Sequence, residues 1–218
     1  QTMRTSWVSL AALSLLSVAS PVTDLHEACE EGDLDDVRDA LKAGADINSP
    51  GKEDGQTPVM RSTLHGHLDI VKFLIKEGAD LTIGEKQGYT PLHGAAFAGR
   101  PEIAKYLMEE HGLDPFDKHE DGFIPFHRAL WGMSERHLEC VKIFLKAGVP
   151  PDYPGKDGQL PVTMASHPGA EELIKEELEK RDAEKGGKKK KMKKKGKKKK
   201  KKKNKKSPTS SADKKDEL

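Results

Sequence analysis

The feature that most constrains this chain is a segment of about 33 residues that recurs along it. Copies that begin at Thr57, Thr90 and Ile124 align at spacings of 33 and 34 residues. A weaker copy begins at Thr23 and a shortened one at Leu160. A period of this length predicts a stack of small structural units, because one unit alone is too short to bury its own apolar face.

Each copy carries the signals of two helices followed by a turn. Thr57 and Thr90 are suited to cap a helix through the threonine oxygen, and Pro58 and Pro91 fit the first helical position. Apolar residues then recur at helical spacing in the second half of each copy. Glycines suited to the left-handed position that ends a helix follow at Gly44, Gly78, Gly112 and Gly148.

These residues resemble the ankyrin repeat family, whose signature includes a Thr-Pro-Leu-His step followed by paired alanines. The segment from Thr90 to Ala96 matches it closely, and the resemblance extends over about residues 23–180. It implies an all-α solenoid of helix-turn-helix units joined by β-hairpin-like turns. We expect units near 23–56, 57–89, 90–123 and 124–159, followed by a partial capping unit at 160–180.

The resemblance also implies where a partner would bind, at the hairpin tips and on the exposed side of the first helices. Aromatic residues grouped at such positions are typical of a binding hot spot. Tyr89 and Trp131 are the stronger candidates, since Phe97 or Phe123 could instead pack inward against a neighbouring unit. The predicted partner-binding residues are Gln56, Leu64, His65, Tyr89, Phe97, Phe123 and Trp131.

Motifs for catalysis or metal binding are missing from the sequence, which has no glycine-rich phosphate loop and no nucleophile paired with a base. Cys29 and Cys140 fall at apolar positions of different units, too far apart for a disulfide. His26, His93 and His127 recur at one motif position, where the family uses histidine for hydrogen bonds between units. We therefore expect no enzyme, no metal and no cofactor, but a monomer that binds an unidentified protein.

The two ends of the sequence carry features of the secretory pathway. Arg4 precedes an apolar run from Trp7 to Ala19 that is too short to span a bilayer, which predicts a signal peptide at 1–19. The residues that a KDEL-type retrieval receptor binds in the endoplasmic reticulum stand at Lys215, Asp216, Glu217 and Leu218. Together they predict a protein of the endoplasmic reticulum lumen, without a transmembrane span.

The formal net charge of +2 hides two oppositely charged parts. Residues 1–182 hold 32 acidic and 19 basic side chains, whereas residues 183–218 hold 4 acidic side chains and 19 lysines. Residues 183–218 also hold so few apolar side chains that burying them could not offset the entropy cost of ordering the chain, which predicts a disordered tail at 183–218. The lysines could bind an acidic protein, anionic lipid or nucleic acid, or only act as a solvated spacer. Nucleic-acid binding supports the alternative function, a nuclear or nucleolar ankyrin protein that binds nucleic acid or ribonucleoprotein.

Overall fold

A computed structural model describes residues 24–203, with the side chains of residues 24–185, and forms ten α-helices over that range. No helix among these residues is both long and apolar enough to cross a membrane. The predicted signal peptide at 1–19 and retrieval address at 215–218 lie outside the described residues. The helices are Leu25–Glu31 (α1), Leu34–Lys42 (α2), Pro58–His65 (α3), Leu68–Lys76 (α4), Pro91–Phe97 (α5), Pro101–Glu109 (α6), Pro125–Leu130 (α7), Glu135–Lys146 (α8), Pro161–Met164 (α9) and Pro168–Lys203 (α10).

Helices that follow each other in the chain pack as pairs, and the pairs stack side by side. The first helices α1, α3, α5 and α7 contact one another in turn, and so do the second helices α2, α4, α6 and α8. One apolar core runs through all the pairs and includes Cys29, Ile70, Ile103, Phe144 and Ile174. The predicted all-α solenoid is therefore confirmed, because the helices pack within each pair and against the neighbouring pairs around one continuous core.

Two helix starts show how local sequence and tertiary contacts compete. Thr57 Oγ1 accepts the Met60 N–H at 3.4 Å, as predicted. Thr90 makes no such cap, and the prediction is wrong there. Its hydroxyl donates to Asp117 Oδ2 at 3.2 Å, because a carboxylate brought close by the fold competes with the backbone for that hydroxyl. The four glycines predicted to end helices all have positive φ.

Narrow hairpin turns join the pairs and place side chains at equivalent points of successive units. The Glu85 N–H donates to the Tyr89 carbonyl at 3.1 Å, and the His119 N–H donates to the Phe123 carbonyl at 3.0 Å. The Lys86 N–H crosses to the carbonyl of the preceding hairpin at 3.0 Å. These bonds hold Tyr89 and Phe123 just ahead of the first helices α5 and α7.

Helix α10 closes the stack and then continues beyond it. Ala170 and Ile174 are buried, and Arg181 Nη2 donates to Asp152 Oδ2 at 2.6 Å. The backbone of α10 is helical through residue 203. Residues 183–203 offer almost no apolar side chain to pack and carry many like charges, so the prediction of a disordered tail after the stack stands. Residues 204–218 lie outside the described part of the chain.

Candidate partner-binding site

A groove of about 340 Å³ opens between the first helices α3 and α5 and the hairpin turn that precedes α5. Met60, His93 and Gly94 contribute to its walls. Helix α7 reaches it through a single side chain, that of Arg128. Four of the predicted partner-binding residues also line it, namely Gln56, Leu64, Tyr89 and Phe97. The fold therefore brings these four predicted residues, which are up to 41 positions apart in the sequence, to one groove.

Arg128 connects this groove to the two other predicted aromatic residues. Its guanidinium carbon lies 4.4 Å from the ring centre of Tyr89, 4.5 Å from that of Trp131 and 5.5 Å from that of Phe123. The Phe123 and Trp131 rings meet edge to face, with their centres 5.3 Å apart. A cation–π contact contributes about 0.5–2 kcal/mol. Arg128 thus fixes the three rings relative to one another.

Asp121 holds Arg128 in this position. Arg128 Nη2 pairs with Asp121 Oδ2, and the Tyr89 hydroxyl donates to the same oxygen at 2.9 Å. Burial alone would raise the pKa of Asp121, but hydrogen bonds from His119, the Phe123 N–H and Arg128 outweigh it and hold this pKa well below its usual range. Asp121 is therefore ionised at physiological pH, and the rings are arranged before any partner binds.

Arg128 is not among the partner-binding residues that the sequence predicts. Arg128 follows Asp121 by seven positions, and Arg61 follows Asp54 by the same seven. The second pair also forms an ion pair, with Arg61 Nη2 at 2.6 Å from Asp54 Oδ2. The third unit lacks both residues at these places. The recurring Asp-to-Arg spacing is the sequence signal that could have revealed the contact.

The predicted aromatic residues differ in the fraction of each side chain that is exposed to solvent. Phe97 is 59% exposed and Trp131 is 37% exposed, so the alternative of inward packing is wrong for Phe97. Phe123 is half-buried, and its ring centre lies 5.6 Å from that of His127. Tyr89 is also half-buried, because its hydroxyl and ring are engaged by Asp121 and Arg128. Contact of these residues with a partner stays a prediction.

His65 lies apart from the groove. It is exposed, and its Nε2 atom is 4.0 Å from Glu30 Oε1 of the first unit. Its ring stacks with that of His67, with the centres 6.4 Å apart. His65 therefore belongs to the acidic surface beside the groove.

His93 is the buried titratable residue of the groove wall. Its side chain is 2% exposed, its Nδ1 atom lies 2.9 Å from Thr90 Oγ1, and its Nε2 atom has no hydrogen-bond partner among the described residues. Burial lowers the pKa of His93 to about 4, against the opposing charge of Asp117. His93 is therefore neutral at physiological pH. His26 and His127 instead use Nε2 to bond distant backbone carbonyls, at 2.9 and 3.0 Å.

The described residues offer little reactive chemistry. Cys29 and Cys140 are buried free thiols, and burial raises their pKa values to about 11 and about 12. Both therefore stay protonated at neutral pH, a state in which a thiol is a poor nucleophile. Among the described side chains, no three His, Cys, Asp or Glu residues come together as a metal site.

Stacked helix pairs with an open groove that carries aromatic side chains define a repeat protein with a surface suited to bind another protein. A family model of ankyrin repeats, in three copies, matches residues 25–119. The chain is 34% identical over 105 residues to the Notch-regulated ankyrin repeat-containing protein of Homo sapiens. The aligned residues make up 46% of this chain and 91% of that protein. The chain belongs to the ankyrin repeat family, and such repeats indicate a protein-binding scaffold.

Two further relatives show how widely these repeats are used. Notch-regulated ankyrin repeat-containing protein A of Danio rerio is 31% identical over 103 residues, or 45% of this chain and 91% of that protein. The E3 ubiquitin-protein ligase Ufd4 of Drosophila melanogaster is 33% identical over 140 residues, or 62% of this chain but 5% of that protein. Because the same repeats occur in proteins of different kinds, the partner has to be inferred from the groove itself.

Proposed function

We propose that this protein is a non-enzymatic scaffold of the endoplasmic reticulum lumen that holds another protein in the groove along α3, α5 and α7. The observation that carries the proposal is the grouping of the predicted contact residues. Four of them line one groove, and Arg128 joins Phe123 and Trp131 to it. Clustered aromatic residues beside an arginine are the usual composition of a binding hot spot.

Exposed apolar surface supports the same face. Five large apolar side chains are exposed in the described part of the chain, and three of them, Phe97, Trp131 and Met133, lie at or just after the ends of α5 and α7, whereas Phe116 and Leu160 lie elsewhere. Met133 is 72% exposed. Apolar residues concentrated at one place on a surface mark interaction sites more often than scattered ones do.

The luminal location is supported by sequence and by the state of the thiols. The segment 1–19 has the layout of a signal peptide, and Lys215 to Leu218 spell a retrieval address. Free cysteines in an oxidising compartment are vulnerable when exposed. Cys29 and Cys140 are fully buried, which suits a chain that carries unpaired thiols in that compartment.

Protease protection of microsomes tests the location. We expect the full-length protein to resist added protease until detergent opens the membrane, alongside an endogenous luminal marker. A variant that lacks residues 215–218 should instead appear in the medium, since retrieval depends on that motif. Digestion without detergent, or recovery in nuclei, would contradict the luminal proposal and favour the nuclear alternative.

A matched pair of variants tests the face. Phe97→Ala combined with Trp131→Ala removes exposed rings, so it should weaken partner capture in cells. Phe97→Ala alone, at a ring outside the contacts of Arg128, should also weaken capture while the thermal unfolding transition stays close to wild type. Phe116→Ala is the control, because Phe116 is 36% exposed but packs beside Tyr153, away from the groove. Tyr89 is left intact because it also holds Asp121. Equal capture by the double variant and the control would remove this assignment.

A further inference from the structure

One position of the repeat changes from acidic to apolar along the stack. It lies near the C-terminal end of each first helix, in α1, α3, α5 and just after α7. We call the four residues at this position the ladder, and each residue a rung. In order along the stack, the rungs are Glu30, Leu64, Phe97 and Trp131.

The separation of the rungs matches the rise of an α-helix. Helices packed side by side lie roughly 8–10 Å apart, so neighbouring rungs are separated by about that distance. Seven residues of an α-helix rise about 10.5 Å and return to nearly the same face. Three residues of a β-strand also cover about 10 Å, but they alternate between faces and cannot meet three rungs in a row. A partner helix therefore fits the ladder with one contact per heptad.

Hydrogen bonding also favours a helix over a polyproline segment. A polyproline segment leaves its backbone carbonyls unpaired, so its binding surface has to donate to them. The Tyr89 hydroxyl beside the ladder donates to Asp121. Arg128 pairs with the same carboxylate through Nη2, its Nε is buried without a partner among the described residues, and the residue is only 7% exposed, so it presents little donor surface to a bound segment. A helix satisfies its own backbone groups and needs no such donors.

Charge gives the partner a direction. Residues 24–56, the first unit, hold 11 acidic and 3 basic side chains. Glu30 and Glu31 are exposed at the end of α1, next to the exposed Glu27. Arg61 pairs with Glu30 at 2.6 Å but leaves the rest of this surface acidic. Positive groups on a partner are attracted to such a surface and orient its approach.

The lysine tail of a second copy is a poor occupant for the whole ladder. Residues 186–218 contain many lysines, but their only large apolar side chains are Met192 and Leu218. Two such residues, 26 positions apart, cannot cover three apolar rungs spaced about 10 Å from one another. The occupant is therefore a segment of a different protein.

We propose that the ladder binds an amphipathic helix of another protein. Its basic end lies against the acidic rung, and its apolar residues, one per heptad, cover the three apolar rungs. The inference rests on the proposed function and specifies the chemistry of the partner.

A displayed library of helical peptides tests this chemistry without knowledge of the natural partner. Peptides of roughly 24 residues, enough at 1.5 Å per residue to span the ladder, carry one randomised face. They are selected on the full-length protein and counter-selected on its Phe97→Ala/Trp131→Ala variant, which removes peptides that bind elsewhere, including on the tail. We expect enrichment of Lys or Arg about one heptad before apolar residues that repeat every seven positions. Acidic peptides, an apolar period of three, or no enrichment would overturn the inference.

The strongest selected peptide is then measured by fluorescence anisotropy. Trp131→Ala should weaken its binding by about tenfold or more, as expected of a hot-spot residue. Glu31→Lys should weaken binding and reduce its salt dependence, since it reverses charge on the acidic surface. Phe116→Ala should leave the affinity unchanged. If Phe116→Ala weakened binding as much as Trp131→Ala does, the proposal that the ladder is the binding site would be wrong.

The outcomes separate the inference from the proposed function. If the Phe97→Ala/Trp131→Ala variant loses its cellular partner but no heptad-spaced basic peptide is enriched, the helical inference fails and the scaffold function stands. If that variant keeps its cellular partner, the proposed face fails.

Discussion

Acidification should destabilise the repeat stack through His93. The unfolded chain takes up a proton at this residue near the ordinary pKa of 6.5, whereas the folded protein resists protonation until about 4. The contribution of neutral His93 is therefore fully present above about pH 6.5 and is lost as the pH falls toward 4. Between pH 7 and pH 5, the two pKa values give a loss of about 2 kcal/mol in the free energy of unfolding.

The surroundings of His93 explain why protonation is unfavourable. The side chain is buried, and Arg128 adds a positive charge to the same wall of the groove. Asp117 Oδ2, at 3.9 Å from Nδ1, opposes these effects but does not outweigh them. His119 is a further titratable group whose ring faces His93, with the ring centres 6.1 Å apart. Acid should therefore loosen the contact between the third and fourth units first.

Urea unfolding followed by circular dichroism, at pH 7 and at pH 5, measures this effect. His93→Gln keeps hydrogen-bonding atoms but cannot titrate, so it should lose about 2 kcal/mol less than wild type over that range. Burial also lowers the pKa of His127, but this residue is present in both proteins and its effect cancels in the comparison. His111→Gln, at an exposed histidine, is the matched control and should behave as wild type. Equal pH dependence of wild type and His93→Gln would show that His93 does not cause the loss of stability in acid.

Three further predictions follow from the packing. Arg128→Met leaves Asp121 without its main cation and removes three ring contacts, so it should lower the free energy of unfolding by about 2–3 kcal/mol; an unchanged urea midpoint would contradict the network. Thiol labelling of Cys29 and Cys140 at pH 8 should follow global unfolding, since burial raises both pKa values, and rapid labelling of the native protein would contradict this. Ile174→Ala should cost about 2–4 kcal/mol and increase proteolysis within α10, whereas wild-type resistance would show that α10 does not depend on that contact.

The solenoid was predictable because its signals are local and repeated. The period, the Pro58 and Pro91 helix starts and the glycine stops each depend on a few neighbouring residues. Thr90 shows where local signals fail, since Asp117 lies 27 positions away and competes for its hydroxyl. The disordered tail was predictable from composition alone, because residues 183–218 have almost no apolar surface to bury.

The candidate contact residues could be named from the sequence, but the way the fold groups them could not. The family resemblance identifies Tyr89 and Trp131 as separate candidate contacts, without saying whether their side chains meet. Their connection through Arg128 depends on which side chains meet in space, and only the recurring seven-residue spacing from Asp121 hints at it. The alignment of Glu30 with the apolar rungs depends on how the units stack, which the sequence of one unit does not show.

Site-specific photo-crosslinking in cells shows whether another protein contacts the groove. A photoreactive amino acid replaces Phe97 in one full-length protein and Phe116 in another, two exposed aromatic positions on different parts of the stack. We expect a covalent adduct to another protein from position 97, found in the protease-protected microsomal fraction, and none from position 116. Equal adducts from both positions, or an adduct from position 116 alone, would contradict a binding groove at Phe97 and Trp131.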